Sequence, residues 1–208
     1  MTHQPPGSAT TRISLESGKT WVFATALDFP GWCRRGKGEE PAIDVLLDYA
    51  GRYARVAGPD FAPGEVRVIG RVASDMSADF GAPGVPGPWD DEPLPPDEAE
   101  RLTGLLESAW RYFDGVAATA PAQLRKGPRG GGRDRDAIID HVREAERSYG
   151  RKVGARVPPR TAWEQQRAAI ATALRTEDPD GAWPLRYAIR RLAWHVLDHA
   201  WEIEDKSD

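Results

Sequence analysis

Between residues 97 and 206 the apolar positions recur at intervals of three and four, the period of an amphipathic helix. Ala99, Leu102, Leu106, Ala109, Trp110, Phe113 and Val116 share one face over 97–118, and Pro121 closes that run. Further helices are predicted at 134 to about 153, at 161–175 with Trp163, Ile170 and Leu174, and at 184 to about 206 with Pro184 in its first turn. Four consecutive helices predict a bundle.

The earlier part reads differently. Residues 12–17 and 20–28 have strand character and are joined by a turn at Gly18-Lys19, and residues 65–72 alternate like a further strand. Between them, 39–53 places Ile43, Leu46, Leu47 and Ala50 on one helical face, with Pro41 tolerated in the first turn. The predicted order is β-β-α-β over residues 10–73. Residues 74–96 hold six prolines and three glycines, a composition that sustains neither helix nor ladder pairing. They are expected to link the two parts. The fold class that follows is α+β: a small β-β-α-β module at 10–73, a linker at 74–96 and a four-helix bundle at 97–206.

Composition narrows the function. The chain is 40% hydrophobic and 29% charged with a net charge of −4. No stretch reaches the roughly 20 apolar residues of a membrane span, and the start Met-Thr-His-Gln-Pro-Pro-Gly lacks the regions of a signal peptide. A single cysteine, Cys33, excludes an intrachain disulfide and fits a reducing compartment. The expectation is a soluble cytoplasmic protein without membrane contact. Neither part has the basic excess of a nucleic-acid binder: Arg34, Arg35 and Lys37 are followed at once by Glu39 and Glu40. No nucleic-acid partner is expected, and the small sheet is read as a docking or dimerisation surface because its strand edges need cover.

The chemistry concentrates in four histidines. His195 and His199 are four apart on the fourth predicted helix, so both rings reach one point from one face. The three-then-four row Leu185, Ala188, Leu192, His195, His199, Glu202 puts them where apolar residues face the core. On the second helix Ile138, His141, Ala145 and Ser148 form a similar inward row. Three buried imidazoles without partners would cost several kcal/mol, a cost that a shared divalent ion removes. His141 lies about 10 Å from its helix start, and His195 and His199 about 10–16 Å from the end of theirs. The three meet at one level if the second and fourth helices are antiparallel, which requires a crossover through 154–160 and a parallel second and third helix. Zinc and nickel are the ions best suited to such a site.

Over about residues 97–206, with His141 in His-Val-Arg-Glu-Ala-Glu-Arg-Ser-Tyr149 and the pair His195 and His199 in the fourth helix, the chain resembles the DinB-like (YfiT-like) family of metal-binding bundles. That resemblance implies an up-down-down-up bundle, a three-histidine metal site, homodimers and, in some members, transfer of a low-molecular-weight thiol or thiol-dependent isomerisation. Residues 20–56, with Asp28-Phe-Pro-Gly31 before an acidic helix start, resemble small HicB-like domains.

Around the histidines, Glu202 continues the row and is the candidate to orient a ligand or act as general base. Glu144 and Asp198 are nearby acids, and Trp194 and Trp201 flank the pair. The glycine-rich stretch 124–136 precedes the His141 helix, and its Arg125, Arg129 and Arg133 are candidates to hold the anionic groups of a thiol. These features predict a metal-dependent small-molecule (thiol) transferase or isomerase. The alternative is a non-catalytic sensing or interaction protein stabilised by its metal.

Overall fold

The computed structural model describes residues 10–59, 61–128, 130–176 and 181–207. It divides into two compact units, Met1–Gly87 and Pro88–Asp208, and is a mixed α+β structure. No helix among the described residues is long and apolar enough to cross a membrane.

Unit 1 is a four-stranded sheet in the order β3-β2-β1-β4. Strands β1 (Thr10–Ser17) and β2 (Val22–Ala26) form the expected antiparallel hairpin, and β4 (Glu65–Ala73) lies parallel to β1. The β-β-α-β expectation omits β3 (Cys33–Gly36), which pairs antiparallel with β2. Its sequence, Cys-Arg-Arg-Gly, has no apolar alternation to announce it. Its arginines lie instead on aromatic faces, Arg34 over Tyr49 at 4.1 Å and Arg35 over Trp21 at 4.5 Å. The single expected helix is also two, α1 (Glu39–Asp48) and α2 (Ala50–Ala57), broken at Tyr49. They pack through Leu46 and Tyr53 onto Trp32, whose indole nitrogen donates to the Leu46 carbonyl at 2.7 Å. The Tyr53 hydroxyl donates to the Pro30 carbonyl at 2.9 Å.

The proline- and glycine-rich stretch expected as a linker is divided between the units. Glu16 of β1, buried, accepts from the Ser74 and Ser77 hydroxyls and from the backbone N–H groups of Gly84 and Val85. Asp79 accepts in turn from the N–H groups of Lys19, Thr20 and Trp21. Two carboxylates thus fasten residues 74–85 to unit 1, where sequence composition suggests free chain. From Pro88 onward the stretch belongs to unit 2, with Trp89 and Asp90 buried.

Unit 2 contains α3 (Pro96–Thr119), α4 (Arg135–Gly150), α5 (Trp163–Arg175) and α6 (Leu185–Lys206). Each falls within two or three residues of its expected span. α6 is the central element. Leu192, Ala193, Val196, Leu197, Ala200, Trp201 and Ile203 are all buried, so the helix is covered on more than one side. On α3, Leu102, Leu106, Trp110 and Phe113 are buried.

Such burial leaves α6 polar groups with no access to water, and most find carboxylates. Arg190 pairs with Asp90, both almost fully enclosed, and Arg186 pairs with Glu98 and donates to the Pro93 carbonyl. Between α4 and α5, Glu146 accepts from the Trp163 indole at 2.6 Å and from Arg167, which also meets Asp114 of α3.

Removing one member of an enclosed pair strands the other. Asp90→Ala should cost about 3–5 kcal/mol of stability because the Arg190 guanidinium stays buried without its carboxylate. A smaller loss is expected from the double replacement Asp90→Leu/Arg190→Met, which removes both charges. Urea denaturation of the two variants checks this; a loss below about 1 kcal/mol for Asp90→Ala would show that the buried guanidinium does not depend on its carboxylate.

Candidate metal centre

His141 comes from the middle of α4 and His195 and His199 from successive turns of α6. One ligand atom from each of the three lies within 4.8 Å of the others. The ring centroids are 5.1 Å apart for His141 and His195, 4.9 Å for His141 and His199, and 4.7 Å for His195 and His199. The Nε2 atoms of His141 and His195 face each other at 3.3 Å. Two ligands at zinc-nitrogen bond length and tetrahedral angle would be about 3.3 Å apart, so this edge of the cluster already has the spacing of a bound pair.

The third ring is oriented by its own helix. Glu202 Oε2 lies 2.7 Å from His199 Nδ1, and its other oxygen accepts from Lys206 Nζ. These contacts, the His199 hydrogen bond first, hold the Glu202 carboxyl at a pKa of about 2. An ionised carboxylate only accepts, so the His199 nitrogen that faces it, Nδ1, carries a proton and leaves Nε2 as the nitrogen turned to the cluster. This carboxylate-to-imidazole arrangement is the usual way of fixing a ligand's tautomer.

His195 is buried, and its Nδ1 has no partner among the described residues. Its Nε2 is the nitrogen that faces His141. Burial first, and then the neighbouring His199, His141, Arg191 and Arg133, push its pKa well below the ordinary imidazole value. His141 is shifted the same way by burial, His199 and Arg133, against an opposing pull from Glu202. Both rings are consequently neutral near pH 7, the form that binds metal.

The other sequence candidates separate clearly. Arg125 is bound to the end of α6, its N–H donating to the Lys206 carbonyl at 2.9 Å and its guanidinium to that of Asp205 at 2.7 Å. Arg133 is exposed and close enough for its charge to depress both His141 and His195. Arg129 and His3 lie outside the described residues. Glu144 pairs with Arg147, Asp198 is half-buried, and Trp194 and Trp201 are core residues.

Two residues beside the histidines escaped the sequence reading. The Tyr149 ring stands edge-on to His195 at 5.5 Å, and its hydroxyl accepts from Arg191 at 3.2 Å. Their signal was available: Arg191 is one turn before His195, and Tyr149 two turns after His141. A cleft of about 940 Å³ in the same unit, lined by Asp90, Leu94, Val153, Trp183 and Arg186 among others, includes none of the three histidines. Its Trp183 touches Tyr149, with ring centroids 5.3 Å apart.

No protein-family model, curated protein or solved structure matches the chain.

The lowered histidine pKa values fix a pH dependence for metal-free protein. Below about pH 6.5, the ordinary imidazole value, the unfolded chain takes up protons that the folded His141 and His195 refuse. Stability should fall from that pH downward, until the folded rings themselves titrate, with a slope of up to about 1.4 kcal/mol per pH unit for each ring. Urea denaturation in chelator at pH 7.5, 6.5 and 5.5 checks this against His195→Leu, whose curve should be flatter. Equal slopes for the two proteins would contradict the burial of a neutral His195.

Proposed function

We propose that unit 2 is a DinB-like metal-binding bundle in which His141, His195 and His199 hold one divalent ion, zinc or nickel, and that the protein is a cytoplasmic metal-dependent thiol transferase or isomerase. The observation that carries this reading is the convergence of three imidazoles from two helices within 4.8 Å. An ion there supplies Lewis acidity, lowering the pKa of a coordinated thiol or water toward neutrality. The chain's own groups do the rest. Glu202 holds the His199 tautomer, and burial keeps His141 and His195 unprotonated.

An up-down-down-up order of α3 to α6 is part of the proposal and is supported by contacts that advance along the helices. His141 meets His199 while Tyr149 meets His195 and Trp183, as antiparallel α4 and α6 require. Arg143 meets Gln166 and Gly150 adjoins Ile170, as parallel α4 and α5 require. On α3, Glu98 meets Arg186 and Tyr112 meets Glu204, as parallel α3 and α6 require. Unit 1, HicB-like in this reading, serves as a docking or homodimerisation module and binds no nucleic acid.

A catalytic site is favoured over a purely structural one because, among the described residues, no fourth histidine, cysteine or carboxylate joins the group. In transfer, the thiol sulfur would bond to an electrophilic carbon as the carbon–oxygen or carbon–halogen bond breaks, the thiol proton passing to solvent or to the released oxygen; with an activated alkene the carbon–carbon π bond would break instead and the proton would pass to the second carbon. Zinc- or nickel-loaded protein is therefore expected to consume cellular thiols in the presence of an epoxide, haloalkane or activated alkene, or to isomerise an alkene with thiol, and His141→Ala should return the rate to background. Absence of turnover across such a panel, with ion stoichiometrically bound, would favour the structural reading.

A further inference from the structure

Arg191 stands apart from the other arginines of α5 and α6. Arg167, Arg175, Arg186 and Arg190 each meet at least one carboxylate. Arg191 meets none among the described residues. Its guanidinium lies between two aromatic faces, 4.6 Å from the Trp194 ring and 5.3 Å from the Tyr149 ring, and donates one hydrogen bond, from Nη2 to the Tyr149 hydroxyl. Its Nη1 is enclosed with no partner. An enclosed, unpaired guanidinium donor is costly to a fold, and this one stands one helical turn, roughly 6 Å, from His195. The Tyr149 ring bridges the two, edge-on to the imidazole and hydrogen-bonded to the guanidinium.

We propose that Arg191, held by Tyr149 and Trp194, is a carboxylate-binding subsite beside the three histidines, so that the molecule bound at the metal carries a carboxylate. This rests on the metal reading above and adds the substrate class. The physical case is that of a flat, fork-shaped donor already fixed by stacking, which loses little freedom when a planar carboxylate arrives. Tyr149 has a positioning role: it shares its hydroxyl with Arg191 and its ring with His195. The assignment differs from the sequence expectation, which placed anion recognition on the 124–136 loop, where Arg125 is engaged with the α6 carbonyls.

The test uses the full chain loaded with Co²⁺ and follows thiolate-to-cobalt absorption during titration with mercaptoacetate, 3-mercaptopropionate and 4-mercaptobutyrate, each beside its uncharged amide. The expected result is at least a tenfold preference for one acid over its amide. Arg191→Gln should reduce that preference to within twofold while leaving amide affinity unchanged, and Arg191→Lys, which keeps charge without the fork, should retain only part of it. If Arg191→Gln fails to load cobalt, the Lys variant and the wild-type comparison decide. Equal binding of acids and amides by the wild type would overturn the subsite and leave the metal reading standing. A preference that survives in Arg191→Gln would likewise overturn it, pointing to another cation such as Arg133. Wild-type protein that takes up no cobalt would overturn the metal reading, and this proposal with it; cobalt-loaded protein whose spectrum no thiol perturbs would overturn the thiol reading and the subsite while leaving metal binding standing.

Discussion

Unit 2 depends on one constraint: α6 is buried on several sides yet carries polar side chains at Arg186, Arg190, His195 and His199. Where such a group is buried, a partner inside the protein replaces the water it has lost. Arg186 and Arg190 draw Glu98 and Asp90 against the helix, and the latter pins the start of the unit at Pro88–Asp90. His195 and His199 draw His141 of α4 and Glu202 of their own helix. The polar contacts therefore orient the surrounding elements as much as the apolar core does.

The same constraint explains the electrostatic character of the site. Neutral histidines are kept so by burial and by the positive charge of Arg133 and Arg191, while Glu202 is committed to His199 and Lys206. A divalent cation added to this surrounding raises the local positive charge further, and the surplus suits an anionic guest. Glu202, the sequence candidate for general base, is held at a pKa of about 2 with both oxygens engaged. In that state it is a weak proton acceptor and an effective orienting group.

Much of this was legible in the sequence because helical periodicity speaks directly to burial. The row through His195 and His199 followed a face of α6 that is largely buried, and the helix spans came within a few residues of those observed; on α4 the buried row is instead Ile138, Val142, Glu146 and Gly150, with His141 half-buried beside it and Ser148 of the expected row exposed. Other features were silent for identifiable reasons. Strand β3 hides its character behind two arginines that lie on rings distant in sequence. The break at Tyr49 has no glycine or proline to mark it, and residues 74–85 are fastened by Glu16 and Asp79, single carboxylates that composition cannot distinguish from surface acids. Arg191 lay in plain view one turn from His195, but an unpaired guanidinium is recognisable only once every neighbouring carboxylate has been assigned to another partner.

The central claim is that three imidazoles share one ion, and its most direct measurement is elemental analysis with X-ray absorption on protein purified without a chelating tag. One divalent ion per chain, with three nitrogen ligands at about 2.0–2.1 Å, lost on replacing His195 and His199 together by alanine, is the result expected. Metal-free wild-type protein that takes up no zinc, nickel or cobalt at neutral pH, or a double variant that keeps a full equivalent, would contradict it.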